Sequence, residues 1–144
     1  MRGRAALEWA EDLGPSARGY DSNRRTAADA APDLASRQRA ELRRLLEQRI
    51  DDPGERELRL VDATARHALR VPFLDALFPD ASFVYLYREP RDTLASMVEA
   101  WESGDYVTYP DLPGWSGPPW SLLLIPRWRE LAGQPVAEIA AEQW

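Results

Sequence analysis

The 144-residue sequence has no cysteine, no lysine and only one histidine. Without cysteine, the chain has no disulfide, no thiol nucleophile and no cysteine metal site. A single histidine disfavours zinc chemistry, so we predict that the protein uses no metal. All 18 basic residues are arginines. This excludes any mechanism that needs a lysine, including that of a Walker-type phosphate loop.

Long apolar runs are also missing. The N-terminal stretch has basic residues but no apolar segment behind them, and no window approaches the roughly 18 apolar residues of a membrane span. The net charge of −6 disfavours binding to nucleic acid or to anionic membranes, because both would repel the molecule at long range. We therefore predict a soluble, cytoplasmic protein with neither kind of partner.

The pattern predicts one partial domain over residues 1–144, in three parts. These parts are a helical and loop lead-in (1–57), a core (58–101), and an irregular Trp- and Pro-rich cover that ends in the start of a helix (102–144). In the lead-in, leucines at helical spacing predict a helix over 33–51. Its arginines, among them Arg39 and Arg44, lie largely off that apolar face, and we interpret them as a solvated surface.

The core reads as strand, helix, strand, helix. Residues 58–63 (LRLVDA) suit a short strand, and 66–78 a helix whose better-formed part is opened by Pro72. Residues 82–87 (SFVYLY) are aromatic and β-branched, as in a strand covered on both faces. A helix with an apolar stripe follows from Pro90. This order predicts an α/β fold with a parallel sheet.

An arginine and a serine stand at the joint between the second strand and its helix. Ligands of open parallel sheets collect at such strand ends, and the guanidinium of Arg88 can bind a phosphate bidentately. Ser96 lies about 9 Å along a helix that starts at Pro90, so an anion that touches both residues must lie on the flank of the helix. The alternative is structural, with Arg88 paired to Glu89, Asp92 or a neighbouring loop and Ser96 simply an exposed helix residue.

Residues 83–96, FVYLYREPRDTLAS, resemble the sulfotransferase signature: an apolar strand, then Arg-x-Pro-Arg/Lys-Asp, then a Ser eight residues after the first Arg. In that family the Arg and Ser bind the 3′-phosphate of 3′-phosphoadenosine 5′-phosphosulfate (PAPS). The resemblance therefore assigns cofactor binding to Arg88 and Ser96. For Arg91 and Asp92, which also match, a contact that stabilises the joint is an equal alternative.

Further segments are similar to bacterial members of the family, so the resemblance covers about residues 58–144. It implies a partial P-loop-like parallel sheet flanked by helices, with an irregular Trp- and Pro-rich C-terminal segment. It also implies sulfonate transfer from PAPS to a hydroxyl or amine, on a small-molecule or glycan acceptor that the sequence does not identify, and no metal.

The sequence departs from the family at two places. The loop Pro-x-Ser-Gly-(Ser/Thr)-Thr, which wraps the 5′-phosphosulfate in family members, is not found in the chain, and Ala63 stands where the family's Lys-Thr motif has its lysine, before Thr64. Two hypotheses follow: a PAPS-dependent sulfotransferase, or a non-catalytic nucleotide-binding or interaction remnant. A third, a nucleotide kinase relative, is disfavoured by the missing Walker lysine.

His67 is the one catalytic candidate, for contact with the acceptor, with Asp62 a weaker one. The structural alternative for this lone histidine stays open. Three tryptophans of the cover, Trp115, Trp120 and Trp128, line an acceptor pocket in one interpretation and seal a core in the other. A sheet without its first strand exposes an unpaired edge or an apolar face, so we also expect self-association.

Overall fold

The computed structural model describes residues 15–47 and 61–144. These residues divide into two compact units: the helical unit, formed by the described residues between 25 and 82, and the tryptophan unit, formed by residues 15–24 together with 83–144. The α-helices are Pro32–Glu47 (α1), Val71–Leu77 (α2), Pro90–Ser103 (α3) and Val136–Gln143 (α4). Short 3₁₀ helices span Pro15–Arg18, Ala27–Asp29, Ala65–Leu69 and Trp128–Leu131. The strands are Val107–Tyr109 (β1) and Trp120–Ser121 (β2), which pair antiparallel.

In the helical unit, the packing centres on α2, which buries Phe73, Leu74 and Leu77. Pro72 lies in its first turn, as predicted. Arg39 reaches from α1 to the end of this helix, where its Nε and Nη2 atoms both donate to the Leu77 carbonyl, the former at 2.8 Å. A cation suits a helix C-terminus, where carbonyls lack partners. Arg39 is exposed, in agreement with a solvated charged face, but its guanidinium also makes this tertiary contact, which the sequence pattern does not predict.

The first two predicted elements are described only in part. Helix α1 begins at Pro32 and ends at Glu47, and the remainder of the predicted helix, residues 48–51, lies outside the described residues. The same holds for 58–60 of the first predicted strand, while residues 61–64 form neither helix nor strand. Arg44 pairs with Glu41 on the exposed side of α1, in agreement with a solvated charged face.

The core of the tryptophan unit is aromatic. Trp120 and Trp128 are completely buried, and Trp120 makes edge-to-face contacts with Trp101 and Trp115 at ring-centroid distances of 5.2 and 5.0 Å. Trp101 also donates from its indole nitrogen to Gln143 at 2.7 Å, which ties α3 to α4. Of the two interpretations of the tryptophan-rich cover, the core is correct for Trp120 and Trp128, because buried rings do not line an open pocket.

The second predicted strand is not a strand in the structure. Residues 81–89 form no helix, turn or bend, and no described residue pairs with them in a ladder. Val84, Tyr85 and Leu86 are more than 80% exposed. A strand is defined by hydrogen bonds to a neighbour, so apolar and β-branched residues without a partner strand do not form one. The sheet that the described residues do form is small and antiparallel, and it lies in the C-terminal cover.

Candidate functional site

Helix α3 begins at Pro90, as predicted, and its first turn is capped by the residue before it. The Glu89 carboxylate accepts a hydrogen bond from the backbone amide of Arg91 at 2.6 Å, and the Thr93 hydroxyl donates to the Glu89 carbonyl at 2.9 Å. A carboxylate is favoured at this position because the helix dipole is positive there. The tip of α3 is thus already occupied by the chain's own anion.

Arg88 and Ser96 are in direct contact. Nη2 of Arg88 donates to the Ser96 hydroxyl at 3.1 Å, and the pair is exposed to solvent. The arginine lies before the helix and the serine in its second turn, so the guanidinium runs back along the side of α3. The structure therefore brings together the two residues that the sequence singled out, on the flank of the helix rather than at its tip.

Among the described residues, no nearby carboxylate neutralises the charge of Arg88. Within residues 15–47 and 61–144, no Asp or Glu oxygen lies within 4.0 Å of its guanidinium, whereas Arg37, Arg44 and Arg127 each have such a partner. Of the partners that the structural alternative allowed, Glu89 and Asp92 do not pair with Arg88, and no described loop supplies a carboxylate to it. An arginine held by a neutral hydroxyl keeps both its charge and its remaining donors for an external anion.

A second polar cluster lies in the helical unit. One carboxylate oxygen of Asp62 accepts from the amide and the hydroxyl of Thr64 at 3.0 and 2.6 Å, and the other lies 2.8 Å from Nε2 of His67. Burial acts to raise the pKa of Asp62, but the hydrogen bonds from Thr64 and His67 outweigh it and lower that pKa below its ordinary value. The contacts hold Asp62 in its charged form and fix the His67 ring.

This cluster favours the structural alternative for His67. Its Nε2 is held by Asp62, and its Nδ1 is buried from solvent, so neither nitrogen faces open solvent where an acceptor would approach. A general base must reach the proton that it abstracts. The catalytic role of His67 therefore stays a prediction without geometric support.

The lowered pKa of Asp62 makes stability depend on pH. A carboxyl whose pKa is lower in the folded chain contributes stability above its unfolded pKa of about 4 and loses it as the pH falls through the folded value. We therefore expect the free energy of unfolding to fall on acidification below about pH 4. Asp62→Asn should be less stable at pH 7 and show a shallower fall, measured by urea unfolding between pH 2.5 and 7.

The matched control is Asp75→Asn, which makes the same change at an exposed position on α2. Exposed carboxylates such as Glu41 and Glu130 also have lowered pKa values. The test is therefore how far each variant changes the slope of the unfolding free energy against pH, relative to the wild type. Equal slopes for Asp62→Asn and the wild type would contradict the assignment.

With this geometry established, comparison with known proteins gives one match. The sequence model of the sulfotransferase family matches residues 4–113, well over half of the chain. The chain belongs to the sulfotransferase family. In this sulfotransferase-family chain, the matched residues include Asp62, His67, Arg88 and Ser96. No curated protein and no solved structure was found to match.

The matched range differs from that of the resemblance noted in the sequence. It extends into the lead-in, to residue 4, and it stops at residue 113, whereas the resemblance was placed at about 58–144. The family match thus holds the candidate phosphate site but not residues 114–144, which supply Trp120, Trp128 and α4 to the core of the tryptophan unit.

No helix of the described residues is long and apolar enough to cross a bilayer. The same residues contain no group of three or more metal-ligating side chains placed to share an ion.

Two contacts in these clusters were not anticipated from the sequence. Glu89 was considered only as an ion-pair partner, although an acidic residue directly before a proline at the first helical position is a recognisable cap signal. An Asp two residues before a Thr is a spacing at which the Asp side chain often bonds the local backbone. This pattern indicates the hydrogen bond from Thr64 to Asp62. Both residues orient their neighbours, and neither adds a donor for an external anion.

Proposed function

We propose that this sulfotransferase-family chain binds the 3′-phosphate of PAPS between Arg88 and Ser96 and takes part in sulfonate transfer from PAPS to a hydroxyl or amine. The observation that carries the proposal is the contact of the Arg88 guanidinium with the Ser96 hydroxyl, exposed and without a carboxylate partner among the described residues.

The chemistry of the pair suits a phosphate. Arg88 uses one of its five N–H donors on Ser96, which leaves a planar fork for two phosphate oxygens. The serine hydroxyl rotates freely and becomes a donor to a third oxygen once the anion is bound. Because Glu89 already satisfies the tip of α3, a second anion there would be repelled, so the flank is the favourable place.

In sulfonate transfer, the acceptor oxygen or nitrogen forms a bond to sulfur as the bond from sulfur to the 5′-phosphate oxygen breaks, and the acceptor's proton passes to a base. Adenosine 3′,5′-bisphosphate is the product. Arg88 and Ser96 would hold the 3′-phosphate, whereas the reaction takes place at the 5′-phosphosulfate. Their contribution is positioning, which lowers the entropic part of the barrier.

The binding step is tested by titrating adenosine 3′,5′-bisphosphate into the chain by calorimetry. Arg88→Ala is expected to weaken binding at least about tenfold, equivalent to about 1.4 kcal/mol, and Ser96→Ala to weaken it less, because the hydroxyl carries no charge. Adenosine 5′-monophosphate should bind the wild type weakly and be insensitive to Arg88→Ala, since it lacks the 3′-phosphate.

Arg91→Ala is the matched control. It removes an arginine from the first turn of the same helix but leaves the capped backbone amide in place, so it should lower the affinity much less than Arg88→Ala. Equal affinities of the wild type and Arg88→Ala for the bisphosphate would overturn the phosphate role.

A non-catalytic nucleotide-binding role is the second candidate. Two observations favour it: Ala63 in place of the family's lysine, and the engagement or burial of both His67 nitrogens. Labelled PAPS with a panel of alcohols, phenols and amines separates the two. Transfer of label supports the enzyme, and binding of the bisphosphate without transfer supports the non-catalytic protein.

Three finer expectations belong to this proposal and stay predictions: the parallel P-loop-like sheet, the cytoplasmic location and a small-molecule or glycan acceptor. The sheet can be tested most directly. It requires a second strand that is hydrogen-bonded in parallel to residues 82–87. Amide hydrogen exchange of these residues would show slow exchange if such a strand were present.

A further inference from the structure

Helix α3 carries a polar stripe along one side. Asp92, Ser96 and Glu99 follow one another at spacings of four and three residues, which places them on one face of the helix. The buried Trp101 belongs to a different face. Ser96, whose hydroxyl Arg88 contacts, therefore has one carboxylate a turn before it and another a turn after it.

The two carboxylates of the stripe differ in their position relative to the Ser96 hydroxyl. Side chains of an α-helix lean towards its N-terminus, so each of them covers the turn before its own Cα. Asp92 therefore leans away from Ser96, towards the start of the helix. Glu99 leans towards Ser96, and at this spacing their Cβ atoms are about 5–6 Å apart. Glu99 is thus the carboxylate that faces the contact between Arg88 and Ser96.

Arg88 and Glu99 have opposite charges, yet they do not pair. The guanidinium donates to Ser96 at 3.1 Å, and no carboxylate oxygen of the described residues, those of Glu99 included, lies within 4.0 Å of it. Glu99 is exposed, and the described residues supply no hydrogen-bond or ion-pair partner for its carboxylate. A cation and a carboxylate thus lie next to Ser96 without neutralising each other.

A carboxylate beside a phosphate site is unfavourable for a bare anion, because like charges repel. The repulsion is offset where the ligand also presents a hydroxyl to the carboxylate, since a hydrogen bond from O–H to an ionised acceptor is among the strong ones. A nucleoside 3′-phosphate has such a group, because its 2′-hydroxyl is on the neighbouring carbon of the ribose. In dinucleotide-binding folds, an acidic residue recognises the ribose 2′-hydroxyl by the same kind of bond.

We propose that Glu99 is a specificity-determining residue of the Arg88–Ser96 site and accepts a hydrogen bond from the 2′-hydroxyl of the bound nucleotide. The site then takes a phosphate ester that has a hydroxyl on the adjacent carbon, and it discriminates against 2′-deoxynucleotides and against anions without a hydroxyl. This role rests on the proposed function, since it requires the 3′-phosphate to lie between Arg88 and Ser96.

The test compares adenosine 3′,5′-bisphosphate with its 2′-deoxy analogue by calorimetric titration. The wild type should bind the ribonucleotide about tenfold more tightly, the order expected for one hydrogen bond to a charged acceptor. Glu99→Ala should abolish this preference, because a site discriminates against an analogue without the hydroxyl only where a polar group is left unpaired. The same substitution should strengthen binding of the deoxynucleotide about two- to threefold at low salt, since it also removes a like charge.

Inorganic sulfate separates recognition of the hydroxyl from damage to the site. It is a dianion that carries no hydroxyl, so it meets only the charge of Glu99. Used as a competitor, sulfate should bind Glu99→Ala more tightly than the wild type, whereas the ribonucleotide should bind this variant less tightly. A purely structural defect would weaken the binding of both ligands. The variant is expected to fold, because the side chain is exposed and alanine favours a helix.

Asp92→Ala is the matched control. It removes the same charge from the same stripe, but at a side chain that leans away from Ser96. Asp92→Ala should therefore change the affinities for the two nucleotides to a similar extent, and it should leave the preference for the ribonucleotide unchanged.

The outcomes distinguish the role of Glu99 from the proposed function. A wild type that binds neither nucleotide overturns the phosphate site and, with it, the role of Glu99. A wild type that binds both nucleotides equally, or a preference that persists in Glu99→Ala, overturns the role of Glu99 alone and leaves the phosphate site in place. An equal loss of the preference in Asp92→Ala and Glu99→Ala also overturns it, because charge alone would then explain the effect.

Discussion

Trp120→Ala is expected to lower the free energy of unfolding by about 3–5 kcal/mol. The ring is completely buried and contacts three other tryptophans edge to face. Its removal deletes the aromatic contacts and opens a cavity that the surrounding rigid rings fill poorly. Because a domain of this size has a total stability of about 5–15 kcal/mol, this loss removes a large part of the free energy of unfolding.

Urea unfolding followed by tryptophan fluorescence measures the effect, and far-UV circular dichroism reports the helices separately. The matched control is Trp144→Ala, at a tryptophan that is 60% exposed, for which the loss should be below about 1 kcal/mol. Similar losses in the two variants would show that Trp120 is not the centre of the core.

Asn23→Ala should cost about 2–3 kcal/mol. Asn23 is 1% exposed and joins two distant parts of the tryptophan unit. Its carboxamide oxygen accepts from the Leu124 amide at 2.6 Å, and its nitrogen donates to the Tyr109 hydroxyl at 2.9 Å. Alanine keeps the backbone hydrogen bond from the residue 23 amide to the Leu124 carbonyl, but it leaves the buried Leu124 amide without its acceptor. A buried donor without a partner costs more stability than a typical hydrogen bond contributes.

Tyr109→Phe isolates the weaker half of this contact. It removes only the hydroxyl and should cost about 1 kcal/mol, because the ring stays packed against Tyr20 and the Leu124 amide keeps its acceptor. Thermal melts of both variants provide the comparison. A larger loss for Tyr109→Phe than for Asn23→Ala would mean that the hydroxyl, and not the buried amide, carries the stability.

Local patterns predicted the helices well. The start of α3 at Pro90 followed from the proline and from the apolar spacing after it, and Pro72 identified the first turn of α2. The geometric argument that an anion shared by Arg88 and Ser96 must lie on the flank needed only the helix start and the rise per residue. These are short-range properties, which neighbouring residues in the chain determine.

Contacts between distant residues could not be predicted in this way. Nothing in the local sequence shows that Arg39 caps a helix 38 residues away, or that Asn23 bonds to Leu124. The strand at 82–87 failed for a related reason: β-propensity measures how well side chains fit a pleated surface, and the partner that supplies this surface is not a local property. Val84 and Leu86 have strand-forming side chains, but the described residues supply no neighbouring strand.

Helix α3 links the candidate phosphate site to α4. Trp101 donates to Gln143 of α4, and Ser96 and Pro90 lie about 8 and 16 Å from Trp101 along the helix axis. A tilt of the helix by about 5° about Trp101 would displace its start by more than 1 Å, comparable to the tolerance of a phosphate-binding contact. If Arg88 and Ser96 bind a nucleotide as proposed, substitutions in α4, which lies outside the family match, are expected to weaken that binding without changing either residue.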